Sequence, residues 1–333
     1  MREDEDDALW SGRAGLPPDL AALEHALGQL PTPPEPAWRP PARRPARVRW
    51  TAFALAAAFA LVAGLAWWRS GTDAWNVETL AGRPRLVALP FARGLGVGST
   101  LVTDAASRAR VEVGGIGTVE LEPGGRLARV RGRGSEHRLS LQLGVLHANI
   151  VAPPRQFVVE TPGAVATDLG CAYTLRVGAD GRGSLSVESG WVAFTHGGRE
   201  SRVPAGASCP TWTGAGPGTP RNDEAPETFR AALDAFDDPA TAAGPRSAAL
   251  ERALGEAQAP DAFTLWHLLA RTQGAERARV AERLATFVPP PVGAPRERVL
   301  ALDRASLDAW WNELGLGDAG WWRMWEDDWT PGR

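Results

Sequence analysis

LSLQL, residues 139–143, alternates apolar and polar side chains and sets the pattern on which the fold prediction depends. Alternation with a period of two is typical of a β-strand with one face buried and the other in solvent. The same alternation recurs in other short runs: Val111 and Val113, Val119 and Leu121, Leu175 and Val177, and Leu185 and Val187. We therefore expect an all-β domain of short strands over residues 86–212.

Glycine-rich turns separate these runs at Glu122–Gly125, Gly132–Gly134, Asp180–Gly181 and Gly197–Gly198. Glycine adopts the positive φ angles that tight hairpins need, so these clusters favour short connections between neighbouring strands. Short strands at such spacing predict an antiparallel sandwich or a short β-solenoid.

Five pieces of this region, in order, resemble the FecR domain: LQLGVLHA (141–148), FVVETP (157–162), GCAY (170–173), VESGWV (187–192) and AG (205–206). The residues that carry the resemblance are Gly144, Phe157, Thr161, Pro162, Gly170, Tyr173, Gly190, Val192 and Gly206. Cys171 stands where that family usually has Thr, and Tyr173 where it has Phe.

The resemblance implies a transmembrane anti-sigma regulator of the inner membrane. Such a protein holds an extracytoplasmic-function (ECF) sigma factor through a cytoplasmic segment, crosses the membrane once, and senses a signal through its periplasmic β domain.

WTAFALAAAFALVAGLAWW, residues 50–68, contains nineteen residues and no formal charge. As a helix it would be roughly 28 Å long, close to the thickness of the hydrocarbon core of a bilayer. It lacks the polar stripe of a soluble surface helix. The sequence therefore predicts a multidomain membrane protein with one transmembrane helix, followed by a linker at 69–85.

The charges beside this segment predict its orientation. Arg39, Arg43, Arg44, Arg47 and Arg49 precede it, whereas Arg69 stands alone after it. Cytoplasmic flanks carry the excess of basic residues, so we expect a single-pass inner-membrane protein with residues 1–49 in the cytoplasm and a periplasmic remainder.

A short amphipathic helix is predicted over residues 17–30, before a Pro- and Arg-rich run that reaches residue 49. Its apolar side contains Leu20, Leu23, Leu27 and Leu30. A helix of this length is marginal alone in water. The leucines could pack on the membrane surface or on a second copy, or they could form the contact with a sigma factor.

Helical spacing returns after a Gly- and Pro-rich linker at 213–225, which predicts an all-α, Trp-rich bundle over 226–333. Several of its tryptophans would fill a core. Because neighbouring tryptophans cannot all point inward from one helix face, we expect Trp311, Trp322 and Trp329 to include an exposed surface for a partner, a glycan or the outer lipid headgroup layer.

Composition excludes several classes of function. The net charge of −3 argues against direct binding to nucleic acid.

The two cysteines, Cys171 and Cys209, could form a disulfide outside the cytoplasm. Neither cysteine lies in a CxxC or His-rich motif. No spacing indicates a catalytic, cofactor or metal site, so we do not expect an enzyme.

Two functions remain from the sequence. The first is a single-pass regulator that binds an ECF sigma factor inside and senses an envelope signal outside. The second is a membrane-tethered adaptor whose β domain binds peptidoglycan, another glycan or an envelope protein, without any sigma factor.

Overall fold

The computed structural model describes residues 18–29, 74–88, 94–131 and 136–320. The chain divides into two compact units, Met1–Leu61 and Val62–Arg333. In the first unit, helix α1 extends over Pro18–Gly28. The second unit contains the strands and the remaining helices.

The strands are β1 (Val77–Ala81), β2 (Arg85–Val87), β3 (Thr100–Val102), β4 (Arg108–Val113), β5 (Gly117–Leu121), β6 (Arg126–Val130), β7 (His137–Ile150), β8 (Phe157–Glu160), β9 (Val165–Asp168), β10 (Ala172–Val177), β11 (Gly183–Ser189), β12 (Trp191–His196), β13 (Arg199–Pro204), β14 (Ala207–Trp212), β15 (Gly216–Pro217) and β16 (Arg221–Asn222).

Two sheets share strand β7. The first sheet has the order β1-β4-β5-β7-β10-β11-β14, with β15 and β16 paired to β14. The second has the order β2-β3-β6-β7-β8-β9-β12-β13, in which β7 and β8 are parallel. Alternate residues of both sheets fill one apolar core, which includes Leu121, Leu146, Leu139, Phe157 and Phe194.

Strand β7 changes sheets at Gly144. Its first half pairs with β6 and β8, and its second half pairs with β5 and β10. Gly144 has φ +100°, and a Cβ atom there would lie 2.6 Å from the Cα atom of Gly125. Only glycine fits this bend, because any side chain would meet the neighbouring backbone.

The helices of the second unit are α2 (Glu227–Asp237), α3 (Ala243–Glu256), α4 (Ala262–Arg271), α5 (Gly274–Phe287), α6 (Arg296–Leu300) and α7 (Arg304–Asn312). They pack around a second apolar core that includes Phe229, Leu250, Leu268 and Trp310. Within the predicted linker 213–225, β15 and β16 pair with β14, and residues 216–220 are buried.

The predicted fold class was wrong in one part, because the structure does not support its single membrane-spanning helix. Across the four described ranges, no helix is both long and apolar enough to cross a bilayer. The longest have 14 residues, or roughly 21 Å at about 1.5 Å per residue. The segment predicted to span, 50–68, lies outside the described residues. The structure supports a mostly β domain followed by helices.

Candidate functional site

The residues that carry the FecR resemblance lie where the β fold turns or is most densely packed. Gly144, Gly170, Gly190 and Gly206 all have positive φ. Phe157 and Val192 are fully buried. The Thr161 hydroxyl donates to the carbonyl of Ala164 (2.8 Å) and accepts from its N–H (3.0 Å), which holds the turn beside Pro162 between β8 and β9. These residues therefore act mainly in folding.

Two connections that cross between the sheets meet in this region. The first runs from β9 to β10 through Gly170, and the second runs from β11 to β12 through Gly190. The Leu169 N–H donates to the Trp191 carbonyl at 3.2 Å. A Cβ atom at Gly190 would lie 2.3 Å from the carbonyl oxygen of Gly170. The two crossings are therefore in direct contact, and a shift in one displaces the other.

Asp168 lies at this contact with only 2% of its surface exposed. Its Oδ1 accepts from the Gly170 N–H at 2.5 Å, and its Oδ2 accepts from the Cys171 thiol at 2.9 Å. Burial raises the pKa of Asp168 from 3.8 to about 6, although both hydrogen bonds favour the charged form. Sequence analysis missed this residue, because its burial depends on contacts between distant strands.

The two cysteines are free and buried. Cys209 lies opposite Leu185 on β11, whereas Cys171 adjoins Ala172, which lies opposite Ser189. Four residues of β11 separate these positions, or roughly 14 Å at about 3.4 Å per residue. A disulfide needs Cα atoms within about 7 Å, so the bond considered from the sequence does not fit this fold.

A polar row crosses the outer face of the first sheet. Consecutive register partners are Glu78, Arg110, Glu120, His147, Thr174, Ser186, Ser208 and Arg221. Arg110 bridges Glu78 (3.1 Å) and Glu120 (2.7 Å). His147 contacts the Thr174 hydroxyl (2.9 Å) and Glu122 (3.2 Å). The row is polar and internally neutralised, with Thr174 buried in its middle and Arg221 paired with Asp234 of α2 at its end. Only the strand register reveals it.

The described ranges contain no group of three or more His, Cys, Asp or Glu side chains arranged to hold a metal ion.

Helix α4 covers the open edge of the second sheet, where β13 is the last strand. The Arg202 backbone N–H donates to Nε2 of His267 at 3.1 Å, while Nδ1 of His267 donates to the Phe263 carbonyl at 2.8 Å. Burial lowers the pKa of His267 to about 3, so the ring stays neutral and its Nε2 can accept. An edge N–H that would otherwise lack a partner is thereby satisfied.

Arg271 joins the helices to the strands through a buried network. It donates to the Ser201 hydroxyl (2.6 Å) and the Pro217 carbonyl (3.2 Å), and it lies 3.5 Å from Asp237. Asp237 also accepts from the N–H and the hydroxyl of Thr219, at 2.5 and 3.1 Å. Helices α2 and α4 are thus fixed to the β domain by charge-assisted hydrogen bonds.

Trp311, one of the three tryptophans among which an exposed surface was predicted, is fully buried and so is not part of such a surface. Its ring lies 5.6 Å from that of Trp191 and 4.8 Å from that of Trp266. Its neighbour Trp310 is also buried and donates to the Val288 carbonyl. Helix α7 has packing partners on two sides, so both tryptophans can be buried. Trp322 and Trp329 lie outside the described residues.

Two leucines of the predicted sigma contact are exposed on α1, with 54% of Leu23 and 58% of Leu27 accessible. They are separated by one helical turn and lie on the same face. Leu30 lies outside the described residues, and for Leu20 the structure describes only the backbone.

Residues 99–193 match the family model described as FecR protein. This range includes the motif residues from Gly144 to Val192 and the buried Asp168. The resemblance found in the sequence is confirmed over these residues. A search of the curated proteins gave no match.

Two crystal structures of provisionally assigned anti-sigma factors from Parabacteroides distasonis ATCC 8503 are similar to parts of the chain. The structure at 1.65 Å resolution has 16% identity and a TM-score of 0.33, and the match covers 37% of this chain and 59% of the other. The structure at 2.50 Å resolution has 16% identity and a TM-score of 0.29, and the match covers 44% of this chain and 60% of the other. The chain thus spans less than two thirds of either length.

Proposed function

We propose that the protein is a FecR-like regulator whose amino-terminal helix binds a sigma factor and whose β domain receives the controlling signal. The observation that carries this proposal is the FecR match over residues 99–193. That match falls on a regulatory family, which favours signalling over enzymatic activity.

The exposed pair Leu23 and Leu27 supports α1 as the binding element. Two large apolar side chains on one face of a short helix favour docking into an apolar groove of a partner. We propose an ECF-type sigma factor as that partner. The part of the polar row from Glu78 to His147 is the surface that we assign to signal reception, because its hydrogen-bonding groups lie side by side on four neighbouring strands. The compartment of the β domain stays a prediction from the sequence.

The binding step is tested with the tagged full-length chain expressed in its native host, followed by affinity purification and quantitative mass spectrometry. The test variant carries Leu23→Asp and Leu27→Asp. The matched control carries Ala21→Asp and His25→Asp, which are exposed and lie on the opposite side of α1 at about 100° per residue. Both variants add two carboxylates four residues apart.

We expect the unaltered chain and the control to recover a sigma factor, and the leucine variant to recover at least tenfold less. Equal recovery with both variants would remove α1 from the interface. If none of the three chains recovers a sigma factor, the proposal fails and the adaptor hypothesis gains weight.

A further inference from the structure

Strands β8, β9 and β12 of the second sheet carry a strip of uncharged residues on their outer face. Alternate residues of these strands, such as Phe157, Val159 and Phe194, fill the core, so the residues between them point outward. The outward residues are Val158, Val165, Thr167, Ala193 and Thr195. All five are small or β-branched, and they form a flat surface that we call the uncharged strip.

The charged side chains at both borders of the uncharged strip already have partners. On the β7 side, Arg138 forms ion pairs with Glu136 and Glu160. On the β13 side, Arg202 is paired with Glu200, and helix α4 covers the strand edge. Between these borders Val158 is only 4% exposed, although it points away from the core. The strip therefore fits an apolar occupant better than an ionic one.

The described part of the chain ends beside the uncharged strip. Trp191 lies two residues before Ala193 on β12 and so shares its outer face. The Trp191 ring lies 5.6 Å from that of Trp311 on α7. Ala319 packs on Trp311 and is only 1% exposed. The chain thus reaches residue 320 at the Trp191 end of the strip.

The residues that follow are apolar enough, and numerous enough, to cover the strip. Residues 321–325, WWRMW, include four large apolar side chains. At about 3.3 Å per residue, five residues extend over roughly 17 Å. The strip is about 10 Å wide, because its three strands are direct neighbours at about 4.8 Å. The acidic residues 326–328, EDD, come next and can lie beyond the strip in water.

We propose that residues 321–325 dock on the uncharged strip, with their tryptophans against Thr167 and Ala193. Removal of these large apolar side chains from water is the main driving force for the contact. The segment closes this face of the second sheet to other partners. The contact forms whether or not α1 binds a sigma factor.

Arg323 makes the docking measurable, because it is the only trypsin site between residue 321 and the terminal Arg333. A docked segment cannot enter the protease, so cleavage after Arg323 reports the undocked state. The full chain is digested with limiting trypsin, and mass spectrometry follows the release of residues 324–333.

The test variant carries Thr167→Glu and Ala193→Glu, which are register partners on β9 and β12 within the strip. The matched control carries Asn149→Glu and Ala172→Glu, which are register partners on the outer face of the first sheet. Both variants place two carboxylates opposite each other on neighbouring strands.

Burial of a carboxylate beneath an apolar segment is costly, so the test variant should undock it. We expect this variant to release residues 324–333 at least tenfold faster than the unaltered chain, and the control to match the unaltered chain. Equal release from all three chains would overturn the proposal, as would a control that releases the peptide as fast as the test variant.

If the test variant does not fold, cross-linking provides the second test. Met324→Cys is combined with Ala193→Cys in one chain and with Asn149→Cys in another, and both are treated with a short bismaleimide. The native cysteines are buried and should not compete. We expect the pair with Ala193→Cys to cross-link at least tenfold faster within one molecule. Equal rates in the two chains, or no cross-link in either, would also overturn the proposal.

Discussion

Two buried aspartates in this protein have opposite surroundings: one carboxylate lies beside a cation and the other does not. Asp237, between the helices and β15, accepts two hydrogen bonds from Thr219 and faces the guanidinium of Arg271. Asp168, between the two sheets, accepts from the Cys171 thiol and from the backbone N–H groups of Gly170 and Cys171, with no cation beside it in the described part of the chain. The first region is fixed by a compensated charge. The second carries a carboxylate whose pKa is raised by burial, so its stability should depend on pH.

Removing Arg271, the cation beside buried Asp237, should have the largest effect on the free energy of unfolding. Arg271→Met leaves the Asp237 carboxylate buried without its cation, and loss of one partner of a buried pair costs about 3–5 kcal/mol. Chemical denaturation at pH 7 measures this free energy of unfolding. Arg182→Met is the control, because its ion pair with Asp238 is largely exposed, and such pairs contribute about 0–1 kcal/mol. Equal losses in the two variants would contradict the contrast between the regions.

Neutralising the uncompensated site should instead stabilise the protein at high pH. The pKa of Asp168 is raised from 3.8 to about 6, so its contribution to stability is complete below about pH 4 and is lost as the pH rises through 6. At about 1.36 kcal/mol per pKa unit, Asp168→Asn should gain up to about 3 kcal/mol at pH 8 and little at pH 4. Denaturation at both pH values measures the gain, and a destabilised variant at pH 8 would refute it.

The smallest of the three losses of stability is expected at strand β13, the sheet edge that helix α4 covers. His267→Leu removes the acceptor for the Arg202 N–H, and a buried N–H without a partner costs about 1–3 kcal/mol. The loss should be the same at pH 5 and pH 8, because the pKa of His267 lies at about 3. Urea denaturation at both values tests this, and a loss confined to low pH would show that the ring is charged there.

Local pattern was sufficient to predict the strands and the FecR motif. Alternation at Leu139 and Leu141 and turn glycines such as Gly190 are properties of short segments, and the structure places both as such patterns require. The buried Asp168 could not be predicted, since nothing in its neighbours along the chain indicates that two crossings meet there. The burial of both Trp310 and Trp311 could not be predicted for a related reason: the sequence analysis assumed one buried face on α7, whereas the helix packs on two sides.

Strand β7 has a further consequence, because its two halves belong to different sheets. Neither sheet can be completed from a fragment that lacks this strand, and its hydrogen bonds tie both layers to one stretch of fourteen residues. The β domain should therefore melt in a single cooperative step. A chain cut within His137–Ile150 should regain the fold only when both pieces are supplied together.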